Sequence, residues 1–429
     1  MVKSEDNAYR LDPARKEAAH ILTRIFSSSA YANRISVNGD QPSRARTTYL
    51  VRAVLRRYRC IDHLIHQAMS KHPSKIDPVV LNILRVAVAE IWDDPTIVFA
   101  AVDNAVESSR LLGKKQAAPF INGVLRGLLR LHHADTWQTV ADKLPAAERF
   151  NISDDLWHDA VSGLGEGAAH EIIGAMQNTP IFNVTRMTSN QTTSPWEEAK
   201  VNPTMTDVRD VSSLSLWQKD LKDGTLMVQS EASRIAVLAL GLDSDAQFSD
   251  LCAAPGGKTR LAHHLHPGIR IEAVDISENK LGLLSKYVTS SNVRTVIKDV
   301  QSWSAPAGTT HVLLDVPCTG TGTLSHKPDL RHRYTTHRLE ELLDLQRELL
   351  HHVVGQLPQG CIFVYATCSI LYQENEAQID WVRKQHSTIE VIPMPQSVPA
   401  SVVTPESYAR INPNPFRTSG GFAARLIKR

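Results

Sequence analysis

Asp250-Leu251-Cys252-Ala253-Ala254-Pro255-Gly256-Gly257-Lys258 is the stretch that decides the fold. Phe248 to Cys252 reads as a short strand running into a Pro-Gly-Gly turn, and the turn opens a helix. In an open α/β sheet, ligands bind at such carboxyl ends of strands. The glycines permit close backbone approach, and a helix N-terminus offers free N–H groups. Taken alone, the motif could equally be a tight turn. Its surroundings give it more weight.

Arg270 to Asp275 reads as the next strand, with Asp275 placed 19 residues after Gly256. That is the spacing at which a carboxylate meets ribose hydroxyls. The chain has no G-x-G-x-x-G and no G-x-x-x-x-G-K-[ST] loop, so a ligand with a ribose but no phosphate fits best. S-adenosyl-L-methionine is the leading candidate. Val293 to Lys298 predicts a third strand, followed by Asp299, which could accept a hydrogen bond from an adenine amino group or simply shape a turn. His311 to Val316, apolar on both faces, predicts a fourth, leading into Asp315-Val316-Pro317-Cys318-Thr319-Gly320-Thr321-Gly322. Cys361 to Ala366 predicts a fifth, ending in Tyr365-Ala366-Thr367-Cys368-Ser369. Helices are expected over Glu278–Thr289 and, from Leu339, Leu342, Leu343, Leu349, Leu350, Val353, Val354 and Leu357, over a long stretch before the fifth strand. This alternation implies an α/β, Rossmann-like, mostly parallel sheet with helices on both faces, over residues 226–429.

Upstream the pattern changes. Residues 1–135 read as all-α: Val79, Val80, Ile83, Leu84, Ala87, Val88 and Ile91 recur at helical spacing, as do Phe120, Ile121, Val124, Leu125 and Leu128. Turn signals at Val37-Asn38-Gly39-Asp40 and His72-Pro73-Ser74 separate the segments. Residues 136–225 form a connecting, mixed α+β region, with helix near 153–177, a strand over Ile181–Arg186, and an irregular polar stretch over Ser189–Asp210.

The net charge of +2 hides an asymmetry: residues 1–135 hold 20 Lys+Arg against 13 Asp+Glu, and the remainder 27 against 32. Arg52, Arg56, Arg57 and Arg59 crowd one helical stretch, and Lys114 and Lys115 precede another. A basic helical part suggests a polyanionic partner, the alternative being ordinary solvated arginines. No run approaches the ~18 apolar residues of a membrane span. The N-terminus lacks the apolar core of a signal peptide, so a cytoplasmic protein is expected.

The five cysteines, Cys60, Cys252, Cys318, Cys361 and Cys368, form no CxxC pair. Neither a disulfide framework nor a zinc site is expected. His263, His264, His266, His351 and His352 read as solvated helix residues, and no metal is expected. Cys60 and Cys361 read as core. Cys318 and Cys368 differ, since each lies where a strand opens into a loop at the ligand-binding edge. Spacing alone does not say which of the two would act as a nucleophile.

DLCAAPGGK, DVPCTGTG and YATCS together resemble motifs of the RNA 5-methylcytosine methyltransferases, and more narrowly the bacterial ribosomal small-subunit methyltransferase B (Fmu/Sun) group. VQSEAS at 228–233 resembles that family's VQ-x-EAS motif, and Gly322–Tyr334, with His326-Lys327-Pro328-Asp329, resembles its RHPD segment. Ala101–Leu129, with Ala105-Val106-Glu107 and Gly113-Lys114-Lys115, resembles the NusB-type RNA-binding domain. The resemblance implies that Cys252, Ala253, Ala254, Pro255, Gly256, Gly257 and Lys258 cradle the methionine end of S-adenosyl-L-methionine, that Asp275 holds the ribose and that Asp299 holds the adenine. It further implies that Asp315 meets the cytosine edge, that Cys368 is the nucleophile and that Cys318 assists product release. Thiolate addition at carbon 6 would make carbon 5 nucleophilic enough to accept a methyl group.

The target base must leave any stack, so a single-stranded or loop cytosine in ribosomal RNA is the expected partner, bound by a monomer. Transfer RNA as substrate, or a non-catalytic RNA-binding assembly factor, are the competing readings. Two features depart from the family pattern: Val316 stands where Ala is usual, and Thr418-Ser419-Gly420-Gly421-Phe422 replaces an acidic DGFF-like segment.

Overall fold

The computed structural model describes residues 12–28, 37, 40–69, 75–133, 136–178, 180–188, 192–197, 199–202, 205, 207–414 and 419–429. The expected turns at Asn38-Gly39 and His72-Pro73-Ser74, together with Thr418, lie outside the described residues. Two compact units result: Met1–Trp157 with Lys327–Arg333, and His158–His326 with Tyr334–Arg429.

The first unit is helical, with α1 (Pro13–Ser28), α2 (Gln41–Ala68), α3 (Pro78–Asp93), α4 (Val98–Leu111) and α5 (Ala118–Leu131). Asp40 caps α2 and Asp77 caps α3, each followed by a proline in the first turn, where no N–H is missed. α3 is apolar nearly all round, and Val80, Ile83, Leu84, Val88 and Ile91 vanish into a core shared with α1, α2 and α4. Its one buried carboxylate, Glu90, accepts from Arg15 Nε at 2.6 Å and Nη2 at 2.8 Å, and pairs with Arg46.

The arginines of α2 are not a freely solvated face. Arg57 Nη1 lies 2.6 Å from Asp93, and Arg59 Nη1 donates to the Ile152 carbonyl at 2.5 Å. Burial lowers the pKa of Arg52, and lowers that of Arg56 to about 10. Lys327–Arg333 lies against α2, where His332 packs on Phe26 and Tyr58 with ring centroids 5.3 and 6.0 Å apart.

The second unit carries two sheets. A small antiparallel one is built from β1 (Phe182–Arg186), β2 (Lys200–Val201), β3 (Val208–Val211) and β4 (Leu226–Val228), in the order β2-β3-β1-β4. The polar stretch that defied reading thus contributes two short edge-side strands. The large sheet comprises β5 (Gln247–Leu251), β6 (Arg270–Asp275), β7 (Val293–Ile297), β8 (His311–Asp315), β9 (Ile362–Thr367), β10 (Ile389–Val391), β11 (Tyr408–Ile411) and β12 (Gly421–Lys428). Its order is β10-β12-β9-β8-β5-β6-β7, with β11 also paired to β12. The strands from β5 to β9 are parallel, whereas β12 runs antiparallel to β9, β10 and β11, making the sheet mixed.

The middle of β8, Val312 to Leu314, is apolar on both faces because both are covered. Leu313 joins one cluster with Phe248, Val364 and Leu261, while Val312 and Leu314 join another with Phe363, Leu350 and Val353 of the helix Thr336–Gln356. Val316 is buried in the latter cluster. The helix expected over Glu278–Thr289 is interrupted: only Glu278–Leu281 is α, and a 3₁₀ turn follows at Leu284–Lys286. Gly282, a poor helix former, stands at the break.

Candidate active site

β5 pairs with β6 on one side and β8 on the other, so the strand order reverses at β5. An open sheet gapes at that point, beyond the carboxyl ends of its strands. The loops after β5 and β8 are therefore the ones placed to form a site, and the sequence-identified residues gather there.

After β5, Ala253 N–H donates to the Val274 carbonyl at 3.0 Å and Ala254 N–H to Asp275 Oδ2 at 3.0 Å. Asp275 Oδ1 accepts from Ser277 N–H at 2.8 Å, so this carboxylate fixes both loops. Gly256 adopts φ +97°, and a Cβ there would lie 2.8 Å from the Leu284 side chain. Only glycine meets both conditions, and Gly257 then starts the helix Gly257–Leu265. Asp299 is exposed and accepts from Gln301 N–H at 2.9 Å, the turn-shaping contact allowed for above.

Lys258 reaches Asp315 at the end of β8, with Nζ 2.5 Å from Oδ2. Burial would lower its pKa, but Asp315, Asp250 and Cys368 outweigh burial and raise it, keeping an ammonium in the site. The Cys252 thiol is pushed well up, by burial first and then by Asp315, Asp275, Asp250 and Asp299. The field at this thiol is thus dominated by acidic groups, which favours a cationic ligand.

The two thiols converge. Cys318 Sγ and Cys368 Sγ are 3.3 Å apart at the ends of β8 and β9. The Cys318 thiol is raised well above its ordinary range, first by its hydrogen bond to Cys368 and then by burial.

Two adjacent residues that sequence reading missed hold this pair. Glu374, wholly buried, accepts from Thr319 N–H at 2.8 Å, Thr319 Oγ1 at 2.5 Å and Gln346 Nε2 at 3.0 Å; the same Gln346 amide donates to the Pro317 carbonyl at 3.0 Å. Asn375 accepts from Thr367 Oγ1 at 2.6 Å and donates to the Ser369 carbonyl at 3.1 Å. Glu374 thereby fastens the residues flanking Cys318, and Asn375 those flanking Cys368. Gly322 N–H donates to the Cys368 carbonyl at 2.9 Å, and a Cβ on Gly322 would meet Gly420 O at 2.3 Å.

Asp250 was missed as well, although it opens the quoted stretch. It is fully buried, accepts from Thr259 Oγ1 at 2.5 Å, and burial raises its pKa to about 7. A further missed residue, Gln229, lies in the VQSEAS motif; it is buried, and neither of its side-chain polar atoms has a hydrogen-bond partner among the described residues. Among the described residues, no group of three His, Cys, Asp or Glu could hold a metal ion, and no helix is long and apolar enough to cross a membrane.

Residues 237–427 match the family model described as 16S rRNA methyltransferase RsmB/F, and residues 12–130 match the NusB family. The chain thus joins an RsmB/F methyltransferase region to a NusB region. A Mycobacterium tuberculosis protein named as a methyltransferase is 27% identical over 97% of this chain and 96% of its own length. Ribosomal RNA small subunit methyltransferase B of Proteus mirabilis is 25% identical over 85% of this chain and 89% of its own. The crystal structure of PH0851 shares the fold, with a TM-score of 0.72 at 20% identity, covering 97% of this chain and 99% of that one.

With its RsmB/F region the chain is an S-adenosyl-L-methionine-dependent methyltransferase, and the site fits that cofactor. The glycine turn leaves room for close approach, Asp275 is fixed at the end of β6, the carboxyl groups suit a sulfonium, and Gln229 offers an orphaned amide.

Proposed function

We propose that this protein methylates carbon 5 of a cytosine in small-subunit ribosomal RNA, with Cys368 as the nucleophile. The observation that carries the reading is the thiol pair: two sulfurs 3.3 Å apart at the ends of β8 and β9, with the Cys318 thiol pushed well up by that contact and by burial. A thiol that shares its neighbour's proton can act as a thiolate, and the Lys258 ammonium favours negative charge at Cys368.

Cys368 Sγ adds to carbon 6 of the flipped-out base. A C–S bond forms, and the ring electron pair moves to carbon 5. S-adenosyl-L-methionine, when bound, supplies the electrophilic methyl group. Asp315, held by Lys258, meets the amino edge of the ring and orients it. Release requires a base, which a water molecule can supply, to take the carbon 5 proton; the C–H electrons restore the double bond as the C–S bond breaks. Cys318 then donates its S–H to the departing Cys368 sulfur, stabilising the thiolate it leaves as.

Cys252 to Lys258 would hold the methionine end of the cofactor, Asp275 the ribose and Asp299 the adenine. The basic helical residues 1–135 would bind RNA phosphates, residues 136–225 would connect, and residues 226–429 would catalyse, in the cytoplasm.

The cysteine roles are tested with RNA and labelled cofactor. Cys318→Ala should accumulate a covalent RNA adduct, and Cys368→Ala should give neither adduct nor product. The reverse pattern would exchange the roles. Bisulfite sequencing of RNA from cells with and without the protein should show a lost 5-methylcytosine in small-subunit ribosomal RNA. A loss in transfer RNA instead would move the substrate, and no methyl transfer at all would favour a non-catalytic RNA-binding role.

A further inference from the structure

We propose that Gln229 binds the amino-acid end of S-adenosyl-L-methionine, reading its α-ammonium and α-carboxylate together. The inference rests on the chain's being a cofactor-dependent methyltransferase and adds a residue outside the glycine loop.

Gln229 follows β4 and precedes Ser230, which caps the helix Glu231–Leu238 by accepting from Ser233 N–H. Its backbone N–H donates to the Asn183 carbonyl at 3.1 Å, so the main chain is fixed. The side chain is different. Gln229 is only 8% exposed, and both Nε2 and Oε1 are buried without a hydrogen-bond partner among the described residues. Buried amides are nearly always satisfied, and one with both ends open is costly unless something completes it.

The amide opens toward the cofactor loop. Nε2 lies 3.9 Å from where a Cβ on Gly257 would stand, at the first residue of the helix Gly257–Leu265. On its other side, the helix it introduces approaches the second thiol strand: a Cβ on Gly421 would meet Ala232 Cβ at 2.7 Å and the Thr367 carbonyl at 2.8 Å. Gln229 therefore lies beside the β5 loop, three residues before the point at which its helix comes close to β12 and the end of β9.

The chemistry selects the ligand. A carboxamide offers one acceptor oxygen and one donor nitrogen, side by side and uncharged. An α-amino acid zwitterion offers the complement: N⁺–H donors and carboxylate acceptors on one carbon. The charged groups nearby are otherwise engaged, since Lys258 is paired with Asp315, and Asp275 is held by Ala254 and Ser277. A neutral amide can bind both charges of the zwitterion without adding a net charge to a site that already carries several acids.

The test compares two ligands by calorimetry. S-adenosylhomocysteine has the amino-acid end, and 5′-methylthioadenosine keeps the adenosine and thioether but lacks it. Gln229→Leu should weaken S-adenosylhomocysteine binding about tenfold, as expected for losing a bonded pair to a charged group, and leave 5′-methylthioadenosine binding unchanged. Gln229→Glu, which repels the carboxylate, should discriminate in the same direction and serves if the leucine variant does not fold. Equal weakening of both ligands would mean a merely structural residue and overturn the proposal. So would unchanged S-adenosylhomocysteine affinity with a raised KM for RNA, which would assign the amide to the base. Wild-type protein that bound neither ligand would instead bring down the cofactor reading itself.

Discussion

Glu90 in the helical unit and Glu374 in the methyltransferase unit are equally hidden, at 2% and 0% exposed, yet they are satisfied in opposite ways. Glu90 is met by two guanidinium groups, Arg15 and Arg46. Glu374 is met by neutral donors, from Thr319, Gln346 and Ser369, and its pKa is raised by burial. The first is a charge neutralised to hold helices together. The second is a set of directed hydrogen bonds that fixes the loop bearing Cys318. Burial alone therefore does not tell a structural carboxylate from one that serves a site, whereas the chemistry of the partners does.

The difference can be broken at either end. Glu90→Ala should cause the largest effect, about 3 kcal/mol of lost stability, because it strands the mostly buried Arg15. Thermal unfolding would show it, while methyl transfer per folded molecule should stay near wild type. Glu374→Gln should do the reverse. With one acceptor oxygen instead of two it cannot hold both Thr319 donors, so stability should fall by about 1 kcal/mol. Turnover should drop about 10- to 100-fold through misplacement of Cys318, with adduct persisting in a denaturing gel. If Glu374→Gln lowered the melting temperature as far as Glu90→Ala and left turnover alone, the distinction would collapse.

The smallest effect concerns Asp250, whose pKa is raised from 3.8 to about 7. A carboxyl with a raised folded-state pKa contributes stability that is full below its unfolded pKa and is lost as pH rises through the folded one. Relative to Asp250→Asn, the wild type should therefore lose melting temperature between about pH 4 and 7 and level off above. A flat difference across that window would show that Asp250 does not titrate there.

Much of this was legible in the sequence. β5, β6, β8 and β9 are short apolar runs ending in loops of distinctive chemistry, and the fold follows from their alternation with helices. The small sheet was not legible, because β2 has two residues and β3 sets two adjacent charged residues between its apolar ends, with no alternation to read. Gly282 broke a helix whose apolar periodicity alone looked continuous. The arginines of α2 could be counted but not placed, since their partners Asp93 and Ile152 are distant in sequence. The cofactor loop and both cysteines could be found because motif spacing ties them to strand ends. Glu374, Asn375 and Gln229 could not, because a single polar residue has no periodicity, and what it fastens lies on other loops. Spacing likewise brings Cys318 and Cys368 to strand ends without choosing between them, because it encodes neither the distance between the sulfurs nor the groups around each.

Lys327–Arg333, seven residues from the loop after β8, belong to the helical unit. The polypeptide therefore passes between the two units at three peptide bonds, those after Trp157, His326 and Arg333. No single cut in the gene can remove the helical unit whole or lend it intact to another protein. A cut after Trp157 would leave the helical unit without Lys327–Arg333, the stretch that packs His332 on Phe26 and Tyr58.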